Sequence, residues 1–277
     1  MRFLRTRRAA FIAMLIAGAA CVIMQYVFAH NKPWVREEPY DIASNILAGK
    51  GYSYQFDWGA LQKTCYIPPG YVAILLALWN IGFSDMGIQF INAIIYMLSA
   101  VIAYRIARKL GQSRDVSFLA FLAVAFYPPL WILAFVPSPN AINIFLVLLS
   151  VEQLLVARKN PSLKNFLILG ILFVVQLYIR PDVLVWAPLS VLWLWYVTKD
   201  KIAAPNFVKY TLAAVVLSVV FVSPWTIRNY VVFHRFVLIS ANGGSNLWIG
   251  NNPAADGEFP PTVPGKPLIQ DSIISRL

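Results

Sequence analysis

The chain has 277 residues, 59% of them hydrophobic and 13% charged, about half the charged share of a typical soluble domain, roughly 25%. That composition excludes a water-soluble enzyme or binding module and describes a chain that crosses a membrane several times. The 23 Lys and Arg against 12 Asp and Glu leave a formal net charge of +11, which taken alone would suit a partner of nucleic acid or anionic lipid.

Charge-free stretches locate the spans, because an ionised group is costly in hydrocarbon and about 20 apolar residues are needed to cross it. The first covers residues 9–31 and follows Arg2, Arg5, Arg7 and Arg8. A basic start of this kind can introduce a cleaved signal peptide, but the apolar run exceeds the roughly 7–15 residues of a signal core. It predicts an uncleaved signal anchor with a cytoplasmic N-terminus. A long outer loop, 30–85, follows. Its apolar part, 68–84, is predicted to lie along the outer surface, because a crossing there would place Arg105, Arg108 and Lys109 outside, against the positive-inside rule. Residues 86–104 return inward. The charge-free run 116–151 is too long for one span, and Pro128, Pro129, Pro137 and Pro139 break it into a hairpin, since proline removes a donor and disfavours helix before it. Residues 165–179 then go out and 183–198 come in, with Arg180-Pro181-Asp182 as the outer turn. Residues 210–227 go out a last time.

The reading is an all-α integral membrane protein of about seven spans, N-terminus inside and C-terminus outside, with interfacial helices in the first outer loop. Residues 1–227 form the membrane domain and 228–277 an outer segment that begins a larger part. On this topology 14 basic and three acidic residues are cytoplasmic, so the whole +11 lies there, while the outer side holds nine of each sign. The charge is therefore a topology signal, and no nucleic-acid partner is expected.

Long outer loops in a compact membrane protein are commonly functional, which directs attention to the outer face. No P-loop, His-Glu-x-x-His or paired metal-ligand spacing is present, and neither a metal nor a cofactor is predicted. Cys21 lies mid-span and Cys65 in the outer loop, depths that should prevent pairing. The second outer segment carries Asn242-Gly243-Gly244-Ser245-Asn246, a cluster of turn formers. The chemistry-bearing pattern is Glu37, Glu38 and Asp41 in the first outer loop, combined with Arg180 and Arg228 at outer span ends. A carboxylate near the membrane surface can act as general base on a hydroxyl, and guanidinium groups can hold a phosphate bidentately. The plainer readings are a solvated acidic pair, an Asp41 favoured by a helix N-terminus, and an Arg180–Asp182 local pair. Glu152, near the inner end of its span, is expected to partner Arg158 or Lys159.

These residues resemble the polyprenyl-phosphate-sugar-dependent glycosyltransferases of the GT-C superfamily, the protein O-mannosyltransferase and aminoarabinose-transferase-like group. The resemblance rests on Tyr40-Asp41-Ile42-Ala43-Ser44-Asn45 through Gly49-Lys50-Gly51-Tyr52, Pro68-Pro69-Gly70-Tyr71, Tyr127-Pro128-Pro129, Arg180-Pro181, Pro224-Trp225-Thr226-Ile227-Arg228-Asn229-Tyr230, and Asn246-Leu247-Trp248-Ile249-Gly250-Asn251-Asn252-Pro253. It implies inverting transfer of a sugar from a polyprenyl-phosphate carrier to a lipid or glycan acceptor, on the periplasmic face of a bacterial inner membrane. Glu37, Glu38 or Asp41 would supply the base; Lys63, Tyr66, Arg180, Arg228, His234 and Asn246 would contact the donor and its phosphate. Two departures from the family pattern stand out. Arg36 occupies the position of the usual first-loop acid, with Glu37 matching the second. Ile67 replaces the lysine that precedes the paired prolines in aminoarabinose-type members, leaving Lys63 as the nearest cation. Relatives continue into further spans, so the resemblance also implies a chain ending inside a larger architecture. The competing expectations are a carrier-lipid binding or translocating protein without chemistry, and an inactive remnant.

Overall fold

The computed structural model describes residues 7–29, 38–56, 60–130 and 138–251. They form a helical protein with one small hairpin. Helix α1 (Arg7–Ala29) is followed by α2 (Glu38–Leu47), strands β1 (Ser53–Tyr54) and β2 (Gln62–Lys63), and α3 (Pro69–Asn80). Then come α4 (Asp85–Lys109), α5 (Arg114–Ala125), α6 (Asn140–Lys159), α7 (Leu163–Ile179), α8 (Val183–Thr198), α9 (Ala204–Phe233) and α10 (Gly243–Asn251).

Each predicted span overlies one of these helices. By length and composition α4, α6 and α9 can cross a membrane, while the apolar stretches Arg8–Met24, Leu163–Ile179 and Val183–Thr198 are shorter. The 12 residues of α5 reach only about 18 Å. Apolar side chains face outward in bands: Val185 and Leu192 on α8 are 72% and 65% exposed, and Val216, Val219 and Val220 on α9 about as much. Bands of this size would be unstable against water and suit a hydrocarbon solvent.

Local signals account for the helix boundaries. Ser84 caps α4 by accepting from the amide of Gly87, and Ser113 caps α5 by accepting from Val116, each satisfying one otherwise orphaned donor. The apolar run 116–151 is interrupted where prolines fall: α5 ends at Ala125, just before Pro128 and Pro129, and α6 begins at Asn140, just after Pro139, while Pro137 lies outside the described residues. The last span is longer than predicted, because α9 starts before Lys209 and continues past Arg228 to Phe233, 30 residues in all. Charges bound the predicted span, but Lys209 is exposed and Arg228 is held by protein carbonyls. The expected turn at Asn242-Gly243-Gly244 is also corrected: Gly243 opens α10, with the amide of Asn246 bonded to the carbonyl of Asn242.

Helices α4 and α6 run parallel, and their shared charge lies between them. Glu152, almost fully buried, is 3.0 Å from Arg105 Nε and 3.6 Å from Lys109 Nζ. The expectation of Arg158 or Lys159 as partner is thus overturned. Arg158, six residues on, points to a different side of α6, and Lys159 is two turns away, about 10 Å along the axis, whereas α4 lies directly alongside.

Helices α2 and α3 are not a loose excursion from the bundle. Tyr40, Ile42 and Ala43 of α2 and Tyr71, Val72 and Leu75 of α3 form one buried cluster with Ile88, Ile142, Leu146 and Ile179 from the adjoining ends of α4, α6 and α7. Tyr40 meets Trp79 edge-on at 5.6 Å, and Asn92 Nδ2 donates to Tyr71 Oη across the α3–α4 contact. The start of α3 comes so close to α7 that a Cβ on Gly70 would lie 2.5 Å from the Tyr178 carbonyl oxygen. Gly70→Ala should therefore displace α3 or the end of α7, at a cost of about 1–3 kcal/mol. Thermal unfolding in detergent is expected to show a clear drop, and an unchanged midpoint would contradict the close approach.

Candidate functional site at one end of the bundle

Four pieces of chain meet at the end of the bundle where α4 and α6 begin and α7 and α9 finish: α2, the β1–β2 hairpin, the last turns of α9, and the segment leading to α10. Strand β1 pairs antiparallel with β2, Ser53 opposite Lys63 and Tyr54 opposite Gln62. The hairpin is tied to α2 by Asn45 Nδ2 donating to the Ser53 carbonyl. Tyr52 Oη donates to the Ile67 carbonyl, and burial raises its phenol well above the ordinary value.

Arg228 joins this hairpin to α9. Its Nη1 donates to the Thr64 carbonyl at 2.9 Å and to Asn229 Oδ1 at 3.0 Å, and Nη2 reaches the Tyr52 carbonyl at 3.5 Å. The guanidinium carbon also lies 4.8 Å from the ring centre of Trp225, 5.3 Å from Tyr52 and 5.4 Å from Phe233. A planar five-donor cation can serve carbonyls in its plane and rings above and below it. Arg228 is therefore a clamp between two segments 164 residues apart.

Beyond α9 the chain reverses at His234, which takes the left-handed conformation (φ 55°) while its amide caps the helix on the Tyr230 carbonyl at 2.8 Å. That reversal folds the following segment back over the site. Trp225 Nε1 donates to the Ile239 carbonyl, Thr226 Oγ1 to Leu238, and the buried Asn229 Nδ2 to Val237. The amide of Ala241 then bonds the Cys65 carbonyl at 2.9 Å. Between hairpin and returning segment is a cavity of about 150 Å³, lined in part by Lys63, Cys65, Tyr66, Phe233 and Arg235. Among the described residues no cluster of His, Cys, Asp or Glu is arranged to hold a metal ion.

Both cysteines are free thiols, as their depths require. Cys65 is buried; burial pushes its thiol above the usual range, partly opposed by the nearby Arg228 guanidinium. Since only the thiolate reacts, alkylation of Cys65 by a membrane-impermeant maleimide should be slow at pH 8 and accelerate only at higher pH. Labelling at the rate of a free cysteine would show that the hairpin does not cover it.

The predicted residues divide into groups. Glu38 and Asp41 lie in the first turn of α2, Glu38 half-buried and Asp41 exposed. Asp41 is one turn before Asn45, on the same helix face, and hence on the side that binds the hairpin. Glu37 lies outside the described residues. Lys63 and Tyr66 share the cavity lining. His234 and Asn246 are exposed, one at the α9 terminus and the other in α10. Arg180 belongs to a neighbouring polar group: its Nη1 donates to Asn140 Oδ1 at 2.7 Å, and its Nε is 3.9 Å from Asp182, which also accepts from Asn143. The local Arg180–Asp182 pair expected from sequence is present. Arg235 was missed. A basic residue directly after a helix end in a segment predicted to face outward was the available signal, but only the reversal at His234 reveals that it returns to Lys63.

An apolar helical body with a polar and aromatic assembly at one end defines a membrane-embedded protein. The family model for dolichyl-phosphate-mannose-protein mannosyltransferase matches residues 67–227, rather more than half of the chain. The chain belongs to this family, which is of the GT-C type, and is a membrane glycosyltransferase by class. No curated protein and no solved structure matches it. The matched region runs from the residue before Pro68-Pro69-Gly70 to the residue before Arg228; the carboxylates of α2 lie upstream of it.

Proposed function

We propose that the protein transfers a sugar from a polyprenyl-phosphate carrier to a hydroxyl acceptor on the outer face of a bacterial inner membrane, with the N-terminus inside and seven crossings. The observation that carries this reading is the assembly of carboxylate-bearing α2, the hairpin and the returning segment into one site at the end of the bundle that the positive-inside rule places outside. A donor of this class has its lipid tail in the bilayer and its phosphate at the surface, at the level of a site built on span ends.

In the reaction the acceptor oxygen attacks the anomeric carbon from the side opposite the phosphate. The new carbon–oxygen bond forms as the bond to the phosphate oxygen breaks, and the configuration at that carbon inverts. A carboxylate of α2, Asp41 or Glu38, receives the acceptor proton, and the departing phosphate takes the electron pair of the broken bond. Lys63 and Arg235, around the cavity, offset the charge developing on the leaving group. Arg228, with its guanidinium committed to carbonyls and rings, positions the hairpin that carries Lys63.

The test uses membranes containing the full chain, supplied with radiolabelled sugar on polyprenyl phosphate. Label is expected to move to an acceptor fraction, with release of polyprenyl phosphate. Retention of the lipid without any transfer would overturn the proposal and favour a carrier-lipid binding protein.

A further inference from the structure

At the opposite end of the bundle, five cations converge on one large open cavity of about 900 Å³. Arg108 and Lys109 come from the last turn of α4, Arg158 and Lys159 from the last turn of α6, and Lys201 from the α8–α9 turn. Cations at helix C-termini are favoured by the macrodipole, which explains the first four individually. Lys201 comes from another element: its ammonium reaches across to donate to the Arg158 carbonyl at 3.0 Å, so that it too serves the C-terminus of α6 while bringing a third element to the cavity.

Among the described residues no acid lines this cavity, and Glu152 approaches only one of the five cations, Lys109, at 3.6 Å. Like charges gathered around one opening create a strong local potential that an anion would relieve. The volume is near the upper end of the roughly 300–1,000 Å³ of ordinary ligand pockets, ample for a group with more than one phosphate. Leu155 and Val156 give the lining an apolar wall, and Leu110 is half exposed. This end of α4 and α6 is where two helices able to cross a membrane leave it.

We propose that this cavity binds the headgroup of an anionic phospholipid, with its phosphates among Arg108, Arg158, Lys159 and Lys201 and its acyl chains in the adjoining leaflet. Soluble phosphates would satisfy the cations but gain nothing from the apolar wall or from the cavity's place at a membrane surface. The site is separate from the proposed transfer site and does not depend on it.

The experiment is native mass spectrometry of the full chain released from nanodiscs of phosphatidylcholine containing one-tenth cardiolipin, a lipid with two phosphates. Wild-type protein is expected to retain cardiolipin in preference to phosphatidylcholine, and millimolar glycerol phosphate should not displace it. Arg158→Gln with Lys159→Gln should weaken retention about thirtyfold, at roughly one kcal/mol per cation. Lys164→Gln with Lys209→Gln, which removes two cations of the same end that do not line the cavity, should change it less than about twofold. Equal retention of both lipids by the wild type, equal loss in the two paired variants, or displacement by glycerol phosphate would each overturn the assignment, the last in favour of a soluble phosphate ligand.

Discussion

Asp41→Asn should lower sugar transfer by about a hundred- to ten-thousand-fold, the range expected when a positioned general base is removed, with the unfolding midpoint almost unchanged. The two parts of this expectation have separate causes. Asp41 is exposed in the first turn of α2, where an isosteric loss of charge costs about 0.3–1 kcal/mol. The chemistry would lose the group that takes the acceptor proton. Glu38→Gln is the matching comparison, because Glu38 shares that first turn and is half-buried. The larger loss identifies which of the two serves as base. Transfer unaffected by Asp41→Asn, Glu38→Gln and Glu37→Gln alike would remove the acid–base assignment to this loop.

Arg228→Gln should have a different signature, with transfer falling close to background and stability falling as well. The variant breaks charge-assisted bonds to two carbonyls and contacts with three aromatic rings. At about 1.5–3 kcal/mol for such a bond and 0.5–1 for an exposed cation–π contact, a loss on the order of 3 kcal/mol is expected. Arg228→Lys should recover little, since a point-charge ammonium cannot serve two carbonyls in a plane and the rings around it. Melting without any donor is the discriminating readout. A residue that only held the lipid phosphate would leave the ligand-free midpoint where it was, whereas a clamp lowers it. Faster labelling of Cys65 in the variant would report the hairpin leaving its seat.

Much of the helical body could be read from the sequence because its signals are local and one-dimensional. Charge-free runs marked the helices, prolines 128 and 129 marked the end of α5 and proline 139 the start of α6, and the cations at 105–109 and 158–159 marked one common end. Partnerships between helices were not readable in that way. Glu152 found Arg105 and Lys109 because α4 lies against α6, and no spacing along the chain contains that fact. Two-residue strands such as Ser53–Tyr54 and Gln62–Lys63 are too short to show a period of two. Arg228 looked like a residue at the end of a span, free to hold phosphate; its role depends on carbonyls of Thr64 and Tyr52 delivered by a hairpin more than 160 residues earlier. The reversal at His234 was equally hidden, because a left-handed residue other than glycine has no compositional mark, and with it went the approach of Arg235 to Lys63. The motifs bearing the family resemblance were readable because they are contiguous, from Pro68-Pro69-Gly70 to Pro224-Trp225-Thr226.

The proposed chemistry is tested most directly by the stereochemistry of transfer catalysed by the purified chain in liposomes, with polyprenyl-phosphate sugar as sole donor. A single displacement at the anomeric carbon predicts one glycoside product of configuration opposite to the donor, formed in step with free polyprenyl phosphate and lost in the Asp41→Asn, Glu38→Gln double variant. A product of retained configuration, or bound donor lipid with no product at all, would contradict it.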